Sequence, residues 1–225
     1  DWNGDWLSPR GVDLQINGGL GLAFPELTPA DLPRLEALLD LLWRDGVEAI
    51  APTLVTCGIA PLRQALAVLQ EARQHHRHSR CRLLGAHLEG PFLADGRRGA
   101  HPREHLAIPS LEALAERIGG FETDIALVTL APELEGAAAV IERLQDLGIN
   151  VALGHSAAND EQARAGFDQG VGMLTHAFNA MPGLHHRAPG PLGEACRRGG
   201  IALGLIADGV HVHPTMAVLL QRLAP

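Results

Sequence analysis

Seven short apolar segments alternate with longer segments of helical periodicity, and this alternation constrains the fold more than any other feature of the chain. The apolar segments have the length of strands and lie at residues 11–17, 49–56, 83–89, 125–131, 150–155, 172–178 and 201–208. Each is followed by a predicted helix, at residues 28–43, 61–75, 110–118, 134–147, 159–169, 192–197 and 214–223. This order is typical of βα units built around a parallel sheet.

The chain of 225 residues, 46% of them hydrophobic, can bury one substantial core, and no low-complexity linker divides it. Polar residues fall at the C-terminal end of nearly every predicted strand, which favours a (β/α)8 TIM-type barrel over a doubly wound sheet. We therefore predict one barrel domain over residues 1–225, of the α/β class. Only seven βα units are visible, so we expect either a truncated barrel or a closing strand that comes from elsewhere.

Composition excludes several other classes of protein. No apolar run approaches the roughly 20 residues that cross a bilayer, and the opening DWNGDW has neither the basic nor the apolar region of a signal peptide. The net charge of -8, without a basic stripe, argues against nucleic-acid binding. Three widely spaced cysteines favour reduced thiols over disulfides. We expect a cytoplasmic protein with a small-molecule ligand.

Polar side chains gather at the ends of the predicted strands. They are Asp13, Gln15, Asn17, Thr53, Thr56, His87, Glu89, His155, His176, Asp208 and the nearby His211. In a barrel these ends meet at one mouth, where Glu89, His155 and His176 could reach one divalent ion and leave positions open for water. Taken singly, each has another interpretation, because a histidine at a strand end can be a packing residue and a terminal glutamate can be solvated.

Seven segments, in order, resemble the N-acetylglucosamine-6-phosphate deacetylase family of the amidohydrolase superfamily. They are GVDLQINGG at 11–19, APTLVT at 51–56, GAHLEGPFL at 85–93, VTLAPE at 128–133, LGHSAA at 153–158, THAFNAMPGLHHRAPG at 175–190 and GLIADGVHVHP at 204–214. The resemblance implies that Glu89, His155 and His176 hold the metal. Many amidohydrolases have an HxH pair at the first strand for a second metal, whereas this chain has Gln15 and Asn17, so we predict one ion, with zinc ahead of iron, cobalt or manganese.

The resemblance also implies a substrate site. It assigns sugar-phosphate contacts to Ala100, Asn179, Ala180, Arg187 and His211, and it gives His101 the polarisation of the acetyl carbonyl. The implied reaction, in amino-sugar catabolism, is hydrolysis of the acetamide of N-acetylglucosamine 6-phosphate to glucosamine 6-phosphate and acetate. A bound metal would lower the pKa of water and stabilise the tetrahedral oxyanion. A homodimer, with Arg187 reaching the neighbouring subunit's phosphate, is also implied.

The match breaks at the general acid and base, which in this family is an aspartate on the eighth strand. Asp208 lies in the segment that matches the seventh strand, so we do not expect it to substitute. We expect the chain to be truncated at both ends, without the family's small β-domain, and to be unstable alone or associated through unpaired strand edges. Two alternatives stay open: a deacetylase of another N-acetyl hexosamine phosphate, and a catalytically dead barrel that binds metal and sugar phosphate.

Overall fold

The computed structural model describes residues 8–224. Its strands are β1 (Gly11–Ile16), β2 (Gly18–Gly19), β3 (Leu22–Ala23), β4 (Val47–Val55), β5 (Arg82–Leu83), β6 (Ala86–Glu89), β7 (Ile125–Leu130), β8 (Asn150–Leu153), β9 (Met173–Leu174) and β10 (Ala202–Leu203). The helices are α1 (Leu32–Arg44), α2 (Ile59–Gln74), α3 (Leu111–Ile118), α4 (Ala137–Asp146), α5 (Asp160–Asp168), α6 (Gly190–Arg198) and α7 (Pro214–Leu223). Short 3-10 turns at Phe24–Glu26, Pro29–Asp31, Asp95–Arg97, Arg103–His105 and Glu122–Asp124 lie in the connections.

The main sheet is parallel throughout and follows the order β1-β4-β6-β7-β8-β9-β10, with β5 added to β4. Neighbours in the sheet are also neighbours along the chain, as in a barrel wound from successive βα units. Within residues 8–224, β1 and β10 pair on one side only, so the sheet is a half-barrel with two free edges. The predicted α/β barrel-type fold is confirmed, with the same seven units in the same order.

The core lies between the sheet and the helices that cover it. Helix α1 shows how the sequence produces this layer, because leucines at helical spacing bury Leu35, Leu38 and Leu39 against the sheet. Each buried leucine contributes about 1.5–3 kcal/mol relative to an exposed one. Thr28 and Asp31 form a capping box around the 3-10 turn Pro29–Asp31, which leads directly into α1.

The opposite face of the sheet, which lines the inside of the half-barrel, carries a buried polar layer. His87 Nδ1 lies 3.1 Å from Thr53 Oγ1, and His87 Nε2 lies 2.7 Å from Thr129 Oγ1. Thr129 Oγ1 in turn lies 2.8 Å from Thr175 Oγ1. All four side chains are buried, and they join β4, β6, β7 and the residue that follows β9. Because buried polar groups are costly unless paired, this layer fixes the relative heights of β4, β6, β7 and β9.

Several predicted boundaries were wrong. The strands predicted at 172–178 and 201–208 are two residues each, and after the first of them the backbone turns into the left-handed region at His176 and Phe178. The strand predicted at 83–89 is divided at Gly85, which has φ +126°. The antiparallel hairpin of β2 and β3, which separates β1 from α1, was not predicted.

Two expectations from composition have structural counterparts. None of the helices described in residues 8–224 has the length and hydropathy needed to cross a membrane. The three cysteines are free thiols, and Cys81 is fully buried. Burial raises the pKa of the Cys81 thiol to about 11, so this side chain acts as a small apolar group in the core.

Candidate metal centre

Three side chains meet at the C-terminal edge of the sheet. Glu89 is the last residue of β6, and His155 and His176 lie two residues beyond the ends of β8 and β9. Both histidines have a left-handed backbone, with φ of 49° and 33°. Such conformations are uncommon for residues other than glycine, and they cluster at functional sites where the surrounding structure enforces them. Here they turn both imidazoles toward the same point.

The ligand atoms of this cluster lie within 4.8 Å of one another. Glu89 Oε1 is 3.1 Å from His155 Nε2 and 3.2 Å from His176 Nε2, and the two imidazole nitrogens are 3.0 Å apart. All three side chains are buried. A carboxylate and two imidazoles are the donor set of many zinc sites and of sites for other first-row metals.

The hydrogen bonds around the cluster fit a cation at its centre. His155 Nδ1 lies 2.9 Å from the carbonyl oxygen of Arg97, and a carbonyl can only accept, so Nδ1 carries a proton. A neutral His155 therefore turns the lone pair of Nε2 toward the carboxylate oxygen of Glu89. Two acceptors at 3.1 Å repel each other, and a divalent ion between them would remove the conflict. A backbone carbonyl behind the imidazole is the kind of partner that fixes the tautomer of metal-binding histidines.

Glu89 is held as a carboxylate. Burial alone would raise its pKa, but the imidazoles of His155 and His176, whose nitrogens lie 3.1 and 3.2 Å from Glu89 Oε1, outweigh burial and hold the pKa of Glu89 well below its usual range. The side-chain amide of Gln15, on β1, donates a further hydrogen bond of 2.9 Å to Glu89 Oε1. Gln15 therefore contacts the cluster as a donor to a ligand oxygen, a role that the sequence did not reveal.

His101 forms the wall of the cluster beside Glu89. Its Nε2 lies 3.8 Å from Glu89 Oε2, and its ring packs edge-on against His155 with centroids 4.4 Å apart. Burial lowers the pKa of His101 to about 4, so the imidazole is neutral at pH 7. Its Nδ1 faces Thr56, whose hydroxyl lies at 2.9 Å. A neutral imidazole at this position can donate or accept one hydrogen bond toward the open side of the cluster.

The loop that carries His155 is held by hydrogen bonds to the loop after the neighbouring strand β7. Glu133, which follows β7, accepts hydrogen bonds from the Ser156 hydroxyl at 2.7 Å and from the backbone N–H of Ala157 at 2.6 Å. The backbone N–H of Ser156 also donates to the carbonyl of Ala180, at 3.2 Å. These bonds join the loop after β8 to the loops after β7 and β9, so the left-handed His155 is held from both sides.

The other residues assigned by the resemblance lie in the loops at the same end of the sheet. Asn179 and Ala180 are half-buried just after His176, while Ala100, Arg187 and His211 are exposed. His211 Nδ1 donates to Asp208 Oδ2 at 2.7 Å, and Asp208 Oδ1 accepts the backbone N–H of Val210 and of His211 at 2.9 Å each. Within residues 8–224, neither Arg187 nor His211 hydrogen-bonds to the three clustered side chains. The structure thus brings four of the predicted residues together, namely Glu89, His155, His176 and His101.

Fold and cluster together define a class: an α/β barrel-type protein with a candidate metal site, made of two histidines and one carboxylate, at the C-terminal ends of its strands. Comparison with known proteins narrows this class. The chain is 37% identical over 208 residues to N-acetylgalactosamine-6-phosphate deacetylase of Escherichia coli O157:H7, covering 92% of this chain and 54% of that protein. It is 36% identical over 228 residues to N-acetylglucosamine-6-phosphate deacetylase of Danio rerio, covering 97% and 55%.

Solved structures agree with the sequence comparison. N-acetyl-D-glucosamine-6-phosphate deacetylase of Mycobacterium smegmatis, an aspartate-to-alanine mutant in complex with N-acetyl-D-glucosamine-6-phosphate, superposes with a TM-score of 0.86 at 32% identity. It matches 96% of this chain and 55% of its own. The deacetylase of Pasteurella multocida gives a TM-score of 0.85 at 29% identity, over 96% and 55%. No protein-family profile matches the chain. The resemblance to N-acetylglucosamine-6-phosphate deacetylases is confirmed, over about half the length of these relatives.

Proposed function

We propose that the protein is a metal-dependent deacetylase that hydrolyses the acetamide of N-acetylglucosamine 6-phosphate to glucosamine 6-phosphate and acetate. The observation that carries the proposal is the convergence of Glu89, His155 and His176 on one point, in a chain similar to such deacetylases over more than nine-tenths of its length. The chain spans about half the length of each relative, so the deacetylase activity of those full-length proteins comes to this chain as a proposal.

In this proposal, Glu89, His155 and His176 hold one divalent transition metal, zinc first among the candidates. When bound, the ion would activate a water molecule for attack and stabilise negative charge on the acetyl oxygen. Gln15 orients the Glu89 carboxylate through its 2.9 Å hydrogen bond. The carbonyl of Arg97 fixes the tautomer of His155, which leaves Nε2 free as a ligand atom.

The substrate contacts follow from the loops around the cluster. His101 donates a hydrogen bond from Nε2 to the acetyl carbonyl oxygen, which stabilises the charge that develops there. Asn179, Ala180, Ala100, Arg187 and His211 bind the sugar phosphate, with Arg187 as the cation for the phosphate group. Within residues 8–224, Glu89 is the only carboxylate in the cluster, and it is a proposed metal ligand. The role of general acid and base is therefore assigned to no residue of this chain.

The first experiment is elemental analysis of the purified chain for bound metal. We expect about one transition metal per chain, and its loss in Glu89→Ala. Glu135→Ala is the matched control, because Glu135 is an exposed glutamate near the loop after β7 and should leave the metal content unchanged. A wild-type chain without metal after reconstitution with zinc, or equal metal in the Glu89 variant, would refute the ligand assignment.

A second candidate substrate is the galactosamine epimer, since one of the relatives is an N-acetylgalactosamine-6-phosphate deacetylase at 37% identity. Acetate release should be measured with both N-acetylated hexosamine phosphates under the same conditions. The ratio of the two kcat/KM values decides between them. If neither sugar releases acetate but both bind, the chain is a metal and sugar-phosphate binding barrel without turnover.

Three further points are proposed, the first from the resemblance and the other two from composition and from the uninterrupted series of βα units. They are a homodimeric assembly, a cytoplasmic location and a single domain over residues 1–225. Sedimentation tests the assembly, fractionation of cells that express the protein tests the location, and a single cooperative unfolding transition would support the single domain.

A further inference from the structure

Thr56 lies between the two residues of the cluster that have different proposed roles. Its hydroxyl oxygen is 2.9 Å from the backbone carbonyl oxygen of Glu89 and also 2.9 Å from His101 Nδ1. Its backbone N–H donates to the same Nδ1, with a nitrogen-to-nitrogen distance of 3.3 Å. Thr56, Glu89 and His101 are all buried. Thr56, the residue that follows β4, therefore contacts both the strand of the metal ligand and the loop of the candidate carbonyl donor.

The directions of the hydrogens decide what His101 can do. The amide hydrogen of Thr56 has a fixed direction, and a buried N–H needs an acceptor. Nδ1 of His101 is that acceptor only when it carries no proton. The Thr56 hydroxyl hydrogen can rotate toward the Glu89 carbonyl or toward Nδ1, and the second direction adds a second donor to an Nδ1 that already accepts from the amide. A proton on Nδ1 would instead face the amide hydrogen and leave that buried amide without a partner.

The room for this arrangement comes from Gly90. A Cβ atom at Gly90 would lie 2.1 Å from Thr56 Oγ1, and the backbone there has φ +92°, where a side chain is strained. Only a glycine at this position lets the Thr56 hydroxyl approach the strand end of Glu89 so closely. Three separated segments of the sequence, around Thr56, Gly90 and His101, thus form one interlocking contact.

We propose that Thr56 is a positioning residue that holds His101 in the tautomer with the proton on Nε2. In that tautomer His101 presents an N–H donor, next to Glu89 Oε2, toward the open side of the cluster. The inference deepens the proposed function, because it explains how a neutral imidazole can donate to the acetyl oxygen at neutral pH. No other side chain needs to supply a proton for this hydrogen bond to form.

Nitrogen-15 NMR of the histidine side chains in the whole chain at pH 7, with zinc added, tests the proposal without relying on turnover. The His101 signals are assigned by their loss in His101→Gln. We expect an unprotonated Nδ1 and a protonated Nε2 in the wild type. A protonated Nδ1, alone or together with a protonated Nε2, would overturn the proposal.

Variants of Thr56 separate positioning from folding. Thr56→Val keeps the shape and the backbone N–H that donates to Nδ1 but loses the hydroxyl as the second donor, so it should shift the tautomer equilibrium of His101 by about tenfold toward Nδ1–H, the effect of about one hydrogen bond. Thr56→Ser keeps the hydroxyl and should restore the wild-type signals. Thermal unfolding shows that each variant is folded. If the valine variant keeps the wild-type tautomer population while folded, the hydroxyl does not position His101 and the proposal fails.

The effect of Thr56 on the reaction is measured as the rate of acetate release from N-acetylglucosamine 6-phosphate. Thr56→Val should lower kcat about tenfold with KM and zinc stoichiometry little changed, and Thr56→Ser should recover most of the loss. A wild type without zinc and without acetate release would refute the proposed function, while the NMR result would still decide the tautomer. An unchanged kcat in the valine variant of an active enzyme would refute the role of Thr56 in the reaction.

Discussion

The buried polar layer under the metal cluster gives a prediction that depends only on the fold. Thr129 occupies its centre, because its hydroxyl bonds both His87 Nε2 at 2.7 Å and Thr175 Oγ1 at 2.8 Å. Thr129→Val keeps the shape of the side chain and removes both bonds at once. Each buried hydrogen bond contributes about 1 kcal/mol, and a partner left unsatisfied costs about 1–3 kcal/mol. We expect the variant to be less stable by about 2–4 kcal/mol.

This estimate uses the position of each partner. The Thr175 hydroxyl can rotate, so little of the penalty should arise there. His87 Nε2 points at Thr129 in a fully buried position, and burial lowers the pKa of His87 to about 4, so the imidazole is neutral and cannot gain a charge to compensate. The unpaired ring nitrogen of His87 therefore accounts for most of the expected loss.

Urea denaturation of the metal-free chain, followed by circular dichroism, measures the effect. For a chain of this length, 2–4 kcal/mol corresponds to a fall in Tm of about 5–15 °C. Thr129→Ser is the matched control, since it keeps the hydroxyl and loses one methyl group, at a cost of about 1 kcal/mol. A valine variant within about 0.5 kcal/mol of the wild type, or one more stable than the serine variant, would show that the layer is not held by these bonds.

Three more predictions concern other parts of the molecule. Arg187→Ala should weaken binding of N-acetylglucosamine 6-phosphate by about tenfold or more and leave binding of unphosphorylated N-acetylglucosamine unchanged in calorimetry, and equal losses would refute its phosphate role. The hydrogen bond from Arg197, with a second from Arg164, lowers the pKa of buried Glu194 from its ordinary 4.5 to about 2, so the stability that this carboxylate contributes is present above pH 4.5 and is lost as the pH falls toward 2. Glu194→Gln should therefore cost about 1–2 kcal/mol in urea at pH 7, and the difference from wild type should narrow below pH 4.5, whereas a constant difference would contradict the ion-pair account. Within residues 8–224, β1 and β10 each leave one edge of the sheet unpaired, which predicts that the chain associates in sedimentation velocity, and a monodisperse monomer at high concentration would count against this.

The sequence predicted the strands well where burial is continuous and poorly where the backbone turns. β4 and β7 are nearly all buried, so their apolar runs identify them. β9 and β10 were both predicted too long. The chain leaves the sheet after β9 at the left-handed His176, and the residues 204–207 after β10 remain apolar although they lie outside the sheet. The sequence does not reveal which histidine will have a left-handed backbone, because tertiary contacts impose that conformation.

The same distinction applies to the site. Strand ends were enough to bring Glu89, His155 and His176 together as candidates, because parallel strands end at one edge of the sheet. The partners of Thr53, Thr56 and His87 required the register between strands, in which Thr53 faces His87 and Val55 faces Glu89. A shift by one residue would exchange the two faces of a strand, and nothing in one sequence alone fixes that shift.

The order of the strands divides the site into side chains positioned by interior strands and side chains that depend on the two edges of the sheet. The three candidate ligands come from β6, β8 and β9, all of which have a neighbouring strand on both sides. His101 follows β6 and is fixed by Thr56, which follows β4, another interior strand. Gln15 and His211, by contrast, come from the edge strand β1 and from the exposed loop after β10. The ligand geometry therefore does not require the sheet to close, whereas the contacts assigned to β1 and to the loop after β10 depend on what lies along those edges.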